Sequence, residues 1–348
     1  MQIQQEVPLA PLTTFKVGGP ARYFVEARRE EDLRASLAEA RNRGWPLFVL
    51  GGGSNLVISD AGWPGLVLKI ALTGISERRE GSRTLFDVAA GEDWDGFVAH
   101  TVAQDCAGIE CLSGIPGTVG GTPVQNVGAY GQEVSETITS VRVLDTTTGN
   151  IRELENADSG FAYRSSIFNA RERGRYIVLQ VTFALTPGGA AHSEYADLKN
   201  YFAGRSGPPT PAETREAVRA IRLSKAMLIV PGDDDCRSAG SFFKNPVLTR
   251  DAFDQLQARS GPIPNFPARD GRVKVAAAWL VEHAGFPKGL ARGPVGISRR
   301  HALAIVNRGG ATADDIIALK NEIQQRVLDA FGIELQPEPV FVGFDQQP

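Results

Sequence analysis

Histidine and cysteine are scarce in this 348-residue chain, with four of the first and three of the second. The histidines (His100, His192, His283 and His301) stand far apart, which argues against a histidine-rich metal centre, and no metal is expected. Cys106, Cys111 and Cys236 are odd in number and match no zinc or redox spacing, so reduced thiols in a cytoplasmic protein are expected. An excess of basic charge is also missing. A net charge of -3 leaves no electrostatic footprint for nucleic acid or for an anionic membrane. No apolar run approaches the roughly 18 residues of a membrane helix. The start, MQIQQEVPLAPLTTF, lacks the basic flank and apolar stretch of a signal peptide. Internal repeats and low-complexity tracts are absent. At 42% hydrophobic, the chain is ordinary globular material, long enough for two or three domains.

Glycine is what the chain has in quantity. The run CLSGIPGTVGGTPVQNVGAYG, from Cys111 to Gly131, carries Gly114, Gly117, Gly120, Gly121, Gly128 and Gly131 and no charge. Glycine weakens helices and strands, so such density marks backbone that turns sharply or approaches something closely. A second cluster, Gly51, Gly52, Gly53, Ser54 and Asn55, follows the apolar stretch PLFVL. Amides in turns of this kind cradle phosphate oxygens without lysine or arginine, and two such loops suggest an extended pyrophosphate held from two sides. Neither cluster is a P-loop, since no Gly-Lys-Ser/Thr follows. Neither is a Rossmann turn, because LVISDAGWPGLVLKI after Asn55 reads as loop and strand where a helix is required.

Periodicity organises the rest. Residues 21–27, 48–50 and 66–70 read as strands, and 30–44 as a helix on Leu33, Leu37 and Ala40 closed by Gly44. Residues 86–90 read as a strand, 94–104 as a helix, 138–144 and 151–154 as a hairpin, and 176–185 as a strand. GRSGPP at 204–209 reads as a connection. Thr210, Pro211 and Glu213 then form a capping box opening a helix toward Lys225. Helices are expected over 250–258, 275–284 and 312–331, and strands over 301–306 and 333–344. The fold class is α+β, with units at 1–72, 73–209 and 210–331 and a C-terminal strand in 332–348 returning to an earlier domain.

Four strings carry a resemblance: GGGSN at 51–55, GIPGTVGGTPVQNVGAYG, FAYRSSIF at 161–168 and AGSFFKNP at 239–246. In this order and spacing the chain resembles the UDP-N-acetylenolpyruvoylglucosamine reductase family, type I subgroup, from Thr14-Phe15 to Pro337-Glu338. The resemblance implies a two-domain FAD-binding module of the vanillyl-alcohol-oxidase (PCMH) type plus a C-terminal α+β substrate-binding domain. It implies non-covalent FAD, NADPH as electron-donating co-substrate, and reduction of an enolpyruvyl ether on UDP-N-acetylglucosamine for peptidoglycan. A monomer that binds only small molecules is expected. An alternative is another FAD-dependent oxidase or dehydrogenase of the same fold acting on a hydroxy acid or lactone, though AGSFFKNP and the late Pro-Glu are not its marks. A UDP-sugar or flavin-binding regulator without chemistry would be expected to have replaced Ser241, Arg164 or Glu338, and all three are present.

Residue by residue, the resemblance makes Ser241 the proton donor and Arg164 the guanidinium that grips the substrate carboxylate. Glu338 is the acidic residue near the reacting carbon, either orienting an arginine or, if protonated, polarising the carboxylate. For FAD it implies Gly51, Gly52, Gly53, Ser54 and Asn55 from the first cluster. From the second it implies Ser113, Pro116, Gly117, Gly120, Gly121, Asn126, Gly128, Ala129 and Gly131. Tyr130, Tyr163, Arg222, Lys225, Asn245 and His301 are candidate substrate contacts, and Tyr195 resembles the subgroup's mobile tyrosine over the nucleotide.

Overall fold

A computed structural model describes residues 1–345. The chain divides into two compact units, one of residues 1–7, 21–53 and 64–228, the other of 8–20, 54–63 and 229 onward. This division differs from the expected breaks at 72, 209 and 331. The GRSGPP connection is irregular as expected, yet the helix after it belongs to the first unit, because Ala217 and Val218 bury against Cys111 and Leu198 there. Of the expected 332–348 segment, the last three residues lie outside the described residues.

In the first unit a four-stranded sheet runs in the order Gln4–Pro8, Pro20–Ala27, Trp63–Ile70, Leu47–Leu50, the last two parallel. The helix Glu30–Arg43 follows the expected pattern. Glu30, Glu31 and Asp32 face its positive end, Gly44 closes it at φ 64°, and Leu33, Leu37 and Ala40 are buried. A six-stranded antiparallel sheet runs Ile151–Glu155, Ile138–Asp145, Tyr176–Pro187, Arg83–Ala89 and Ile75–Glu80 in that order, with Cys106–Ala107 paired off this path to the end of Tyr176–Pro187. The helix Trp94–Ala103, capped by Asp93, adds Trp94 and Phe97 to Phe86 and Phe183 in an aromatic core. Each such burial stabilises by about 1.5–3 kcal/mol.

In the second unit the helix Ala313–Phe331 buries Ile316, Leu319, Ile323 and Val327 and is opened by the Thr312/Asp315 capping box. Around it lie the helices Arg250–Ser260 and Ala277–His283 and two three-stranded sheets. Val273–Val275 is a strand, so the helix expected from 275 starts two residues late. The expected 301–306 strand shrinks to Ile305–Asn307, since the Ala304 amide turns back onto the His301 carbonyl. The expected 333–344 strand shrinks to Val340–Val342, because Pro337 and Pro339 have no amide to give a ladder. That strand pairs in parallel with Leu56–Ile58, the segment that follows GGGSN.

Candidate functional site

In the first unit the two glycine clusters meet. A Cβ on Gly52 would lie 2.5 Å from the Gly117 Cα, and one on Gly51 would lie 3.1 Å from the Thr118 hydroxyl. Only glycine lets the loops touch back to back. The Thr118 Oγ1 atom is buried without a hydrogen-bond partner, a donor and acceptor waiting for a group the protein does not supply. A bare-backbone cradle with one orphaned hydroxyl fits an anionic pyrophosphate, so the residues present fit FAD. Sequence reasoning passed over Thr118; its place beside Gly117 was the available signal.

The rest of the run is a scaffold for side chains. Gly128–Ala129 pairs with Gln132–Glu133 through the two-residue turn Tyr130-Gly131, at φ 50° and 88°. Positive φ at both positions is the hairpin turn that matches strand twist, and tyrosine adopts it at a cost in strain. Asn126, also at positive φ, acts as a staple. Its amide donates to Glu133 Oε2 (2.7 Å) and the Ala162 carbonyl, and its oxygen accepts from the Ser135 amide. Arg164 sits at φ 53° in the tight turn closed by Ala162 and Ser165, and its guanidinium donates to the Gly128 carbonyl at 2.8 Å. It also packs over the half-exposed Tyr163 ring.

Four expected substrate contacts gather in this unit. Tyr130 and Tyr195 meet edge to face, ring centroids 5.6 Å apart. Burial pushes the Tyr130 hydroxyl up to about 12, against the opposing charge of Arg222. Arg222 is 6% exposed, donates to the Met227 carbonyl at 2.6 Å and keeps a buried Nε without a partner. Its desolvation pulls the guanidinium down, with Tyr130 and Asp95 opposing. Lys225 is engaged by Asp197 at 2.6 Å. Asp95, which the sequence did not single out, ties the assembly together: it accepts from the Gly114 amide at 2.6 Å and from Arg215 and Arg219. The spacing 215, 219, 222 on one helix face was the signal for it.

In the second unit Ser241, His301 and Glu338 are brought onto adjoining segments. The Phe242 amide donates to the Leu303 carbonyl, and its carbonyl accepts from the Glu338 amide, both at 2.8 Å. Phe242 and Phe243 anchor this segment in the core with Phe15 and Phe341. Ser241 Oγ is hydrogen-bonded to His301 Nε2 at 2.9 Å. The His301 backbone is in turn held by the Ser298 hydroxyl, which donates to Asp235, a carboxylate only 1% exposed. Asn55 donates to the Glu338 carbonyl at 3.2 Å and accepts from the Val340 amide, so the end of GGGSN holds the late Pro-Glu. Asn245 accepts from the Ala277 amide at 2.9 Å, a helix cap in place of an open side-chain oxygen. The expected reacting residues are divided: Arg164 lies in the first unit, Ser241 and Glu338 in the second. Cys106, Cys111 and Cys236 are buried and form no disulfide.

A family model described as an FAD binding domain matches residues 21–155. Together with the glycine cradle, this defines a flavin-binding oxidoreductase. A second model, described as the C-terminal domain of UDP-N-acetylenolpyruvoylglucosamine reductase, matches residues 231–342. The reductase of that name from Thermobifida fusca is 45% identical, covering 97% of this chain and 98% of its own. That from Streptomyces coelicolor is 47% identical over 99% of this chain and 91% of its own. The crystal structure of the Thermus caldophilus reductase superposes with a TM-score of 0.67 at 25% identity, covering 98% and 99%. The chain belongs to the UDP-N-acetylenolpyruvoylglucosamine reductase family.

Proposed function

We propose that the protein reduces the enolpyruvyl ether of UDP-N-acetylglucosamine to the lactyl ether of UDP-N-acetylmuramate, with FAD as cofactor and NADPH as electron donor. The reaction serves peptidoglycan precursor synthesis in the cytoplasm. Near-full-length identity to reductases of that name carries the assignment. Among the described residues no helix is long and apolar enough to cross a membrane.

Gly51, Gly52, Gly53, Gly117 and Thr118 would hold the pyrophosphate through amides and one hydroxyl, with Ser54, Asn55 and the later glycines completing the contact. When bound and reduced, FAD supplies the hydride that the alkene requires. Arg164 binds both oxygens of the substrate carboxylate and offsets the negative charge that grows there. Ser241 gives its hydroxyl proton to the substrate carbon beside that carboxylate. A serine hydroxyl is a weak acid, but such a carbon is a strong base, so a fixed geometry suffices. Glu338, held by Asn55, is the acidic partner. Tyr130, Tyr195, Arg222 and Lys225 hold the sugar nucleotide.

The test is Ser241→Ala in anaerobic rapid mixing. NADPH should bleach the flavin at near-parental rate, while reoxidation by the enolpyruvyl substrate should slow by roughly 10²- to 10⁴-fold. Reoxidation at the parental rate would show that the proton comes from another group.

A further inference from the structure

The Ser241–His301 contact has a purpose beyond holding a turn. A serine that gives up its proton becomes an alkoxide, and a second turnover cannot begin until that oxygen is reprotonated. His301 Nε2 is 2.9 Å from it, a distance at which a ring N–H can return a proton directly. The backbone that carries the imidazole is also held. The His301 amide donates to the Ser298 hydroxyl at 3.1 Å, the His301 carbonyl accepts from the Ala304 amide, and Ser298 is fixed by buried Asp235. Asp235 further accepts from the Arg299 amide and from Arg300 Nε. Five hydrogen bonds around residues 298–304 thus fix the backbone carrying one ring. The strand that could have continued through this segment gives way to a turn, and that turn sets the ring beside Ser241.

We propose that His301 acts through Ser241 as a positioning residue and proton relay, orienting the hydroxyl and replacing its proton. The inference rests on Ser241 being the acid. In the relay, the Oγ–H bond breaks as the substrate carbon's electron pair takes the proton to form the new C–H bond. The electron pair left on Oγ takes the proton from Nε2, and the imidazole regains one from solvent. One solvent proton enters for each product, and no oxidant or further reductant is needed.

The experiment is a double-mutant cycle on the FAD-loaded enzyme, with anaerobic reoxidation by the enolpyruvyl substrate as readout. His301→Ala should slow the maximal reoxidation rate by roughly 10- to 100-fold, less than loss of the acid itself, because water can return the serine proton slowly. The half-saturating substrate concentration and flavin bleaching by NADPH should stay parental. His301→Gln, which keeps a hydrogen-bonding group but has no transferable ring proton, should remain slow while retaining bound FAD and the parental melting temperature. The Ser241→Ala/His301→Ala double variant should be no slower than Ser241→Ala, as for groups acting in series. Three results would overturn the relay: a glutamine variant as fast as the parent, a double variant slowed by the product of the single effects, or an alanine variant altered only in half-saturation. A Ser241→Ala variant as fast as the parent would instead remove the reading beneath it, and the same data set separates the two failures.

Discussion

At Gly52 one methyl group decides whether the two glycine loops can touch. Gly52→Ala places a Cβ 2.5 Å from the Gly117 backbone, so one loop must move. The FAD dissociation constant, read by flavin fluorescence, should rise at least about tenfold, or 1.4 kcal/mol, and the flavin-free protein should melt lower. Gly121→Ala is the control: nothing lies within 4 Å of its Cβ and its φ is not positive. That variant should melt like the parent without flavin, and any loss of FAD affinity would then report contact with the cofactor alone. Glycine clusters are legible in sequence because no other residue does what they do. Individual roles were less so. Asn126 and Asn245 are expected ligand contacts by their motif positions, and the sequence did not show that they also staple a loop and cap a helix. The Ser241–His301 bond joins residues sixty positions apart, and no local pattern announces it.

The helix Pro211–Ser224 shows the same limits at the scale of an element. Its start was legible to the residue: Thr210 accepts from the Glu213 amide, and Glu213 reaches back to the Thr210 amide at 2.8 Å. Its allegiance was not, since a capping box says where a helix begins and nothing about which core receives it. Asp95, on the first turn of Trp94–Ala103, supplies part of that allegiance through Arg215 and Arg219. Burial pushes the Asp95 carboxyl up, but the Arg215 bond, the Gly114 amide and the two guanidinium charges together outweigh it and leave it below the ordinary range. A folded value below the unfolded one means the stabilisation is present above about pH 4 and lost as the pH falls through the folded value. Asp95→Asn should cost about 2 kcal/mol at neutral pH in urea unfolding and should flatten the acid limb of stability against pH. An unchanged acid limb would show that other carboxylates govern it.

For the whole molecule, the chain weaves between its units. Phe15, Val17 and Val57, all from the N-terminal sixth, are part of the second unit's core, and Leu56–Ile58 is the partner of Val340–Val342. Periodicity could mark each of these segments as apolar or extended, but the choice of partner across the chain is a tertiary matter that local pattern does not encode. Residues 231–342, expressed alone, would therefore lack two packing segments and a strand partner. They should aggregate or show no cooperative melt by circular dichroism, whereas the full chain melts cooperatively. A sharp transition in the fragment would show that the borrowed segments are dispensable. The late pairing also has a consequence for biosynthesis. Leu56–Ile58 is synthesised long before Val340–Val342 and lacks that strand partner until those residues have been made. During that interval the nascent chain offers an open β-edge to any neighbour, a hazard that grows with polysome density. Slow translation of the C-terminal third would lengthen the exposure, and a holdase chaperone on the emerging N-terminal segments would shorten it.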